Sequence, residues 1–248
     1  MSSFRIATYN IHKCKGFDRR TSPQRIIDIL ATLDADILCL QEVVDAPSAG
    51  PLFDQASEIA RGLPAYDFCF GTNRPLHGGN YGNMTLTRLP LRQHRNHNLS
   101  HAQREERGVL QADIELPGGP VLHIFNVHLG TGHYERRAQG SRLLSPHILG
   151  HPDLVHPRLI LGDFNEWTRG LTTKLLEDRF STFRPEHAFK IPRTFPGLLP
   201  ILSLDYFYYD PPLDLRASRL IRSPAALLAS DHLPLVADFE LNTTAPPR

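Results

Sequence analysis

The chain predicts a mixed α/β fold in which mainly antiparallel sheets pack face to face with helices outside. Three observations carry that reading. Helical patterns follow each of the first two strand-like runs, whereas strand-like runs joined by Gly/Pro turns fill most of the rest. The run "ADILCLQEV" has no polar face, as in a strand covered on both sides. In "RGVLQADIEL", by contrast, Leu110, Ala112, Ile114 and Leu116 alternate with Gln111, Asp113 and Glu115, the pattern of a half-exposed antiparallel strand.

The elements follow in order. "FRIATYNI" is the first strand. In "TSPQRIIDILATLD", Ser22 can cap a helix, Pro23 suits its first turn, and Ile26, Ile27, Leu30 and Leu33 share a face. "ADILCLQEV" is the second strand and "LFDQASEIARGL" a second amphipathic helix. "YDFCFG", "GNMTLT" and "RGVLQADIEL" are strands, and "PGGP" turns the last of them into "VLHIFNVHL" as a hairpin. A helix is expected over roughly 133–149, then the strand "RLILGDF" and a short helix near 170–179. "LDYFYY", "LDLRASRLI" and "LPLVADFEL" complete the strands. No linker composition interrupts the chain, so one domain over 1–242 is expected, with "TTAPPR" (243–248) as a frayed tail.

The bulk numbers narrow the function classes. The 248 residues carry 41% apolar side chains, ample for a core, and a formal charge of +1, which does not advertise a polyanionic partner. Cys14, Cys39 and Cys69 lack metal-ligand spacing and fit a reducing compartment. The N-terminus has no apolar signal segment and no run approaches 18 apolar residues. A cytoplasmic monomer without a transmembrane segment is the expectation.

The informative pattern is where polar residues fall. Apolar strands end in residues a core has no use for. The first ends in Asn10 and "ILCLQE" in Glu42, on the face of Leu38 and Leu40 if extended. "HIFNVH" ends in Asn126 and His128, and "LILGDFN" in Asp163 and Asn165, each pair two apart and so on one face. Asp205 lies in "SLDYF", and Asp231 and His232 precede the last strand. Each has a bland reading as a turn former, a cap or a solvated end. Together they describe strand ends converging on one rim.

The stretches "ATYNIH", "DILCLQE", "NVHL", "LILGDFNEW", "SLDYFYY" and "SDHLPL" resemble, in order, the successive motifs of the endonuclease/exonuclease/phosphatase superfamily, the deoxyribonuclease-I-like fold, over about residues 4–240. The resemblance implies a four-layer α/β/β/α sandwich and metal-dependent hydrolysis of phosphoesters. Glu42 would anchor Mg²⁺, with Mn²⁺ equally suited to oxygen ligands; Asn10 would complete that shell or hold a phosphate oxygen, and Asp231 would reach the metal directly or through water. Asp163 would orient the attacking water and take its proton, with Asn165 beside it. His232, paired with Asp205, would donate to the equatorial phosphoryl oxygens, and His128 would donate from the other side. Asn126 and Arg107 would line the phosphate site. His12 stands where the abasic-site nucleases carry an acid, and His128 where they carry a tyrosine. Both differences point toward the sphingomyelinase, phosphoinositide phosphatase and small bacterial phosphodiesterase branches.

Substrate signals are thinner. Residues 92–107 hold four arginines and three histidines, a solvated loop or an anion-facing one, with Arg107 aimed inward. Lys13, Lys15, Arg19 and Arg20 read as a second solvated cluster. "FPGLLPILSL" (195–204) is apolar for a Pro/Gly-rich connection, and core burial is the expectation over lipid contact. The partner expected is a small or lipid-linked phosphoester. Nucleic acid is the alternative, and a catalytically silent binding module on the same fold a second one.

Overall fold

A computed structural model describes residues 2–155, 157–182 and 192–242; the expected tail at 243–248 lies outside them. Eleven strands form two sheets. The first holds β1 (Ser2–Asn10), β2 (Ile37–Asp45), β3 (Asp67–Leu76), β4 (Gly79–Thr87), β10 (Leu213–Leu220) and β11 (Leu235–Leu241) in the order β10-β11-β1-β2-β4-β3. The second runs β5 (Leu91–Asn98), β6 (Gly108–Glu115), β7 (Val121–His128), β8 (Arg158–Asp163) and β9 (Asp205–Tyr209) in that order. Each sheet has one parallel pair, β1–β2 and β7–β8; all other pairings are antiparallel.

Period-2 alternation sorts the side chains into layers. Phe4, Ile6, Cys39, Leu110, Ile114, Leu122, Ile124, Leu159, Leu161, Phe207 and Phe239 fill the space between the sheets. The opposite face of the first sheet packs on α1 (Pro23–Thr32), α2 (Gln55–Gly62) and α5 (Pro224–Ala229). That of the second sheet packs on α3 (His133–Leu143) and α4 (Leu171–Glu177), through Phe125, Val127, Leu143, Ile160, Phe164, Leu176 and Tyr208. This is the expected α/β/β/α sandwich. In α1 the Ser22 hydroxyl accepts from the Arg25 N–H at 3.3 Å, Pro23 opens the first turn, and Ile26, Ile27 and Leu30 are buried. Gly118 and Gly119, at φ 95° and 98°, make the turn between β6 and β7. Among the described residues no helix is long and apolar enough to cross a membrane.

Several expectations give way. Residues 91–98, within the supposed charged loop, form β5, an edge strand paired with β6. Its polar side chains hid it, as they do on edges that must resist further pairing. The helix after residue 133 ends at Leu143 rather than near 149, because Pro146 disfavours helical backbone at Ser145. On β6, Asp113 is buried rather than solvated: it accepts from His123 Nδ1 at 2.7 Å, Gln111 at 3.0 Å and Gln93 at 2.5 Å. Helix α5 carried too short a pattern to be anticipated. The apolar segment 195–204 enters the core only at its end: Leu204 is buried, whereas Leu198, Leu199 and Ile201 are exposed.

Candidate active site

The strand periodicity that fills the core also builds the site. Asn10 follows Phe4, Ile6 and Thr8 along the inner face of β1, and Asp163 follows Leu159 and Leu161 along that of β8. Asp205 precedes Phe207 and Tyr209 on β9 and pairs in register with Asp163. These three polar side chains therefore meet where the two sheets face each other. Asn10 Nδ2 donates to Asp163 Oδ2 at 2.9 Å and to Glu42 Oε1 at 3.2 Å. His232 Nδ1 lies 2.9 Å from Asp205 Oδ2, and its Nε2 lies 3.6 Å from Asp163 Oδ2. His128 Nε2 approaches the same oxygen at 3.7 Å from the other side, and its Nδ1 is buried without a partner. Ser230 holds this end together: its hydroxyl donates to the Asn10 carbonyl at 2.7 Å and accepts from the His232 N–H at 3.2 Å.

Glu42 and Asn165 reach the centre by other means than simple extension. The β2–β4 pairing slips between Leu40 and Val43, and Glu42 takes φ 60°. Such a bulge re-aims a side chain, here away from the face of Leu38 and Leu40. Asn165 lies past the end of β8 at φ 49°, in a turn where its N–H donates to Asp163 Oδ1 at 2.9 Å. Its side-chain amide donates to the Leu129 carbonyl at 2.9 Å, while Phe164 turns into the helix-covered core. The turn thus fixes Asp163 and ties the ends of β7 and β8.

The electrostatics split the two histidines. Burial pushes His128 down to about 4, with Arg107 adding to the effect, so it is neutral at pH 7. Burial also opposes charge on His232, but Asp205 and Asp163 outweigh it and lift the imidazole to about 10. Asp163 is raised, chiefly by burial and further by Asp205, against the pull of His232. Burial would raise Glu42 too, yet neighbouring positive groups hold it well below the usual carboxylate range. Since His128 is neutral, we assign that hold mainly to the Lys13 ammonium, which pairs directly with Glu42 Oε2.

Other placements differ from the sequence expectation. Asn126 shares the inner face of β7 with His128 but lies deeper. Its amide donates to the carbonyls of Leu40 and Met84 at 3.1 and 3.0 Å, and its oxygen accepts from Gln41 at 2.8 Å. It clasps one sheet to the other, with no donor left for a phosphate. Asn10 gives its oxygen to the His12 N–H at 3.0 Å, so in this arrangement it bridges the two acids as a donor. Asp231 turns to His12, Oδ1 to Nδ1 3.6 Å. Arg107 is buried as expected, paired with Glu105 at 3.1 Å, with its Nε unpartnered. Sequence reasoning missed Lys13, set aside as solvated, and Arg74, which stacks 4.5 Å from the centre of the Tyr81 ring, with Lys13 on the same ring at 5.7 Å. Position within "NIHK", three residues past Asn10, was the available signal for Lys13.

Among the described residues, one group of three His, Cys, Asp or Glu donors gathers within 4.8 Å: Asp163, Asp205 and His232. It already contains its cation, the imidazolium between two carboxylates. The carboxylate suited to a hard divalent ion is Glu42, partly buried and already neutralised by an ammonium.

Comparison with known proteins agrees with this fold. The family model described as "Endonuclease/Exonuclease/phosphatase family" matches residues 7–232. The uncharacterized protein YbhP of Escherichia coli K12 is 33% identical over 258 aligned residues, covering 96% of this chain and 97% of YbhP. Among solved structures, an endonuclease/exonuclease/phosphatase from Beutenbergia cavernae superposes with a TM-score of 0.80 at 22% identity, covering 97% of this chain and 72% of that one. A mannosyl-6-phosphatase from Bacteroides thetaiotaomicron superposes with a TM-score of 0.78 at 16% identity, covering 96% and 100%. With motif order, sandwich and family model in agreement across nearly its whole length, the chain belongs to the endonuclease/exonuclease/phosphatase family.

Proposed function

We propose that this protein is a metal-dependent phosphoesterase that cleaves a small or lipid-linked phosphoester, by preference a diester, through in-line attack of water. The observation that carries the reading is the buried Asp163 carboxylate between a neutral and a cationic histidine. A carboxylate whose proton affinity is raised by burial is a better base for water than a solvated one. His232, held charged by Asp205, donates to the phosphoryl oxygens as negative charge builds on them. Neutral His128 donates from the opposite side. Asn10 fixes Asp163 and presents its amide to the same space, and Arg107 adds positive charge behind His128.

The donor set fits a divalent cation at Glu42, where a partly buried carboxylate pairs with a positive charge that a hard ion could replace. Asp231, which faces His12 at 3.6 Å, would reach the same ion through water. Bound there, Mg²⁺ or Mn²⁺ would place positive charge against a phosphoryl oxygen and the departing alkoxide. The three buried, unpaired cysteines support a cytoplasmic setting, and we include a monomeric state in the proposal.

The test is hydrolysis of bis-p-nitrophenyl phosphate by the full chain, with Mg²⁺, with Mn²⁺ and with EDTA. Turnover that appears with metal and disappears with EDTA is expected. Absence of turnover on diesters and monoesters alike, with either metal, would return the chain to a silent binding module.

A further inference from the structure

Three segments meet beside His232, and their outer side chains are apolar. The hairpin at 195–202 is pinned at its base, where Phe195 and Leu202 exchange backbone bonds at 3.0 and 2.8 Å, and near its tip, where the Gly197 N–H donates to the Asp231 carbonyl at 2.7 Å. It therefore presents Leu198, Leu199 and Ile201 on a braced turn, 56%, 72% and 58% exposed. Phe17, 37% exposed, lies so near that a side-chain carbon on Gly197 would touch its ring at 3.5 Å. The Phe17 N–H donates to the carbonyl of Leu228, itself 40% exposed, at 3.0 Å. At the base of the hairpin the Phe195 ring packs 5.1 Å from His232, so the apolar rim and the catalytic centre are neighbours.

Among the described residues the charge around this rim is mainly positive, with Asp231 the acid at its inner side, 3.6 Å from His12. Lys15, Arg19 and Arg20 stand exposed on the same loop as Phe17. Asp18, the acid among them, is taken by Arg25 at 3.1 Å. A set of bare apolar tips flanked by basic side chains matches an anionic lipid surface, with apolar groups entering the acyl boundary and cations meeting the headgroups. A second copy of the chain fits poorly. A two-fold contact centred on the rim would bring two copies of the Lys15, Arg19 and Arg20 cluster into one interface.

We propose that the rim formed by Phe17, Leu198, Leu199, Ile201 and Leu228, with Lys15, Arg19 and Arg20 beside it, docks this protein on anionic membranes and that the phosphoester it cleaves is carried by a lipid headgroup. The substrate half of this inference rests on the phosphoesterase reading; the docking half does not. Docked through the rim, the protein holds the headgroup layer next to His232, so the phosphate enters the site without the lipid leaving its bilayer.

The experiment is co-sedimentation of the full chain with phosphatidylcholine vesicles and with vesicles that also contain phosphatidylglycerol, alongside bis-p-nitrophenyl phosphate hydrolysis. Wild type should sediment with the anionic vesicles and much less with the neutral ones. The double variant Leu199→Glu/Ile201→Glu should lose vesicle binding by about tenfold or more while keeping wild-type turnover of the soluble diester. Arg19→Gln/Arg20→Gln should lose the preference for anionic vesicles, again without loss of soluble turnover. Wild type that hydrolyses the soluble diester but ignores both vesicles would overturn docking and leave the enzyme standing. Vesicle binding with no phosphoester hydrolysis would leave docking standing and overturn the substrate assignment. Self-association that Leu199→Glu/Ile201→Glu abolishes, in place of vesicle binding, would make the rim a dimer interface and overturn the proposal.

Discussion

His232 Nδ1 lies 2.9 Å from Asp205 Oδ2 in a bond that runs from the segment before β11 in one sheet to the first residue of β9 in the other. With Asp163 it keeps the ring protonated up to about pH 10, against an ordinary value of 6.5. A raised folded-state value stabilises below the unfolded one and is lost as pH climbs through the raised one. Wild type should therefore lose stability between pH 6.5 and about 10, and lose activity on the alkaline side as the cation is neutralised. Asp205→Asn removes one of the supporting charges. It should move the alkaline limb of the pH–rate profile to lower pH and flatten the alkaline fall in Tm. An unmoved limb in that variant would dissolve the pair.

Asp163→Asn keeps the shape of the side chain and removes the base. We expect kcat to fall by at least about 10²-fold. Tm should change little, since the raised proton affinity shows a carboxylate that burial disfavours. A turn former behaves the opposite way, with lower Tm and intact turnover, so measuring both on one sample decides between the two roles.

Asn126→Ala is the mirror case. It strands the Leu40 and Met84 carbonyls between the sheets, while the Gln41 amide keeps the Thr8 hydroxyl and the Cys39 carbonyl. At about 1–3 kcal/mol for each buried group left unpaired, the loss should reach about 2 kcal/mol or more. Denaturant unfolding would report it. Below the unfolding transition, kcat on the soluble diester should stay near wild type; a large kcat loss without a stability loss would restore Asn126 to the phosphate site.

Glu42→Gln should fold normally and need about tenfold or more extra Mg²⁺ for half-maximal activity. Lys13→Met removes the charge that pairs with Glu42. It should tighten Mn²⁺ binding measured by calorimetry, because the incoming cation no longer displaces an ammonium. Unchanged Mn²⁺ affinity in both variants would take Glu42 out of the metal site.

The parts of this molecule legible in the sequence share a cause. Asn10, Asp163 and Asp205 each sit in phase with inward-facing apolar residues of their own strand, so alternation alone aims them. What alternation cannot encode was misread. Glu42 depends on a bulge and a left-handed residue, Asn165 on a side-chain-supported turn. Lys13 depends on which charge lies across from it, and only its place three residues past Asn10 distinguishes it from Lys15. Leu198, Leu199 and Ile201 show the converse limit. Apolar character says that a side chain gains by leaving water, but not whether its own core receives it.

Asn10 belongs to one sheet and Asp163 to the other, and His232, in the segment that leads into β11 of the first sheet, reaches Asp205 in the second, so both bonds that define the centre are stitches across the seam of the sandwich. The spacing between the proposed base, acid and cation site is thus set by how far apart two sheets stand, a distance governed by the girth of Ile6, Ile124, Leu161 and Phe239 in the filling between them. Thinning that filling, as in Ile124→Ala, lets the seam close or skew. The proposed catalytic groups would then drift as two rigid combs rather than one by one, and the proposed hydrolysis would fail as alignment before any of its members is touched.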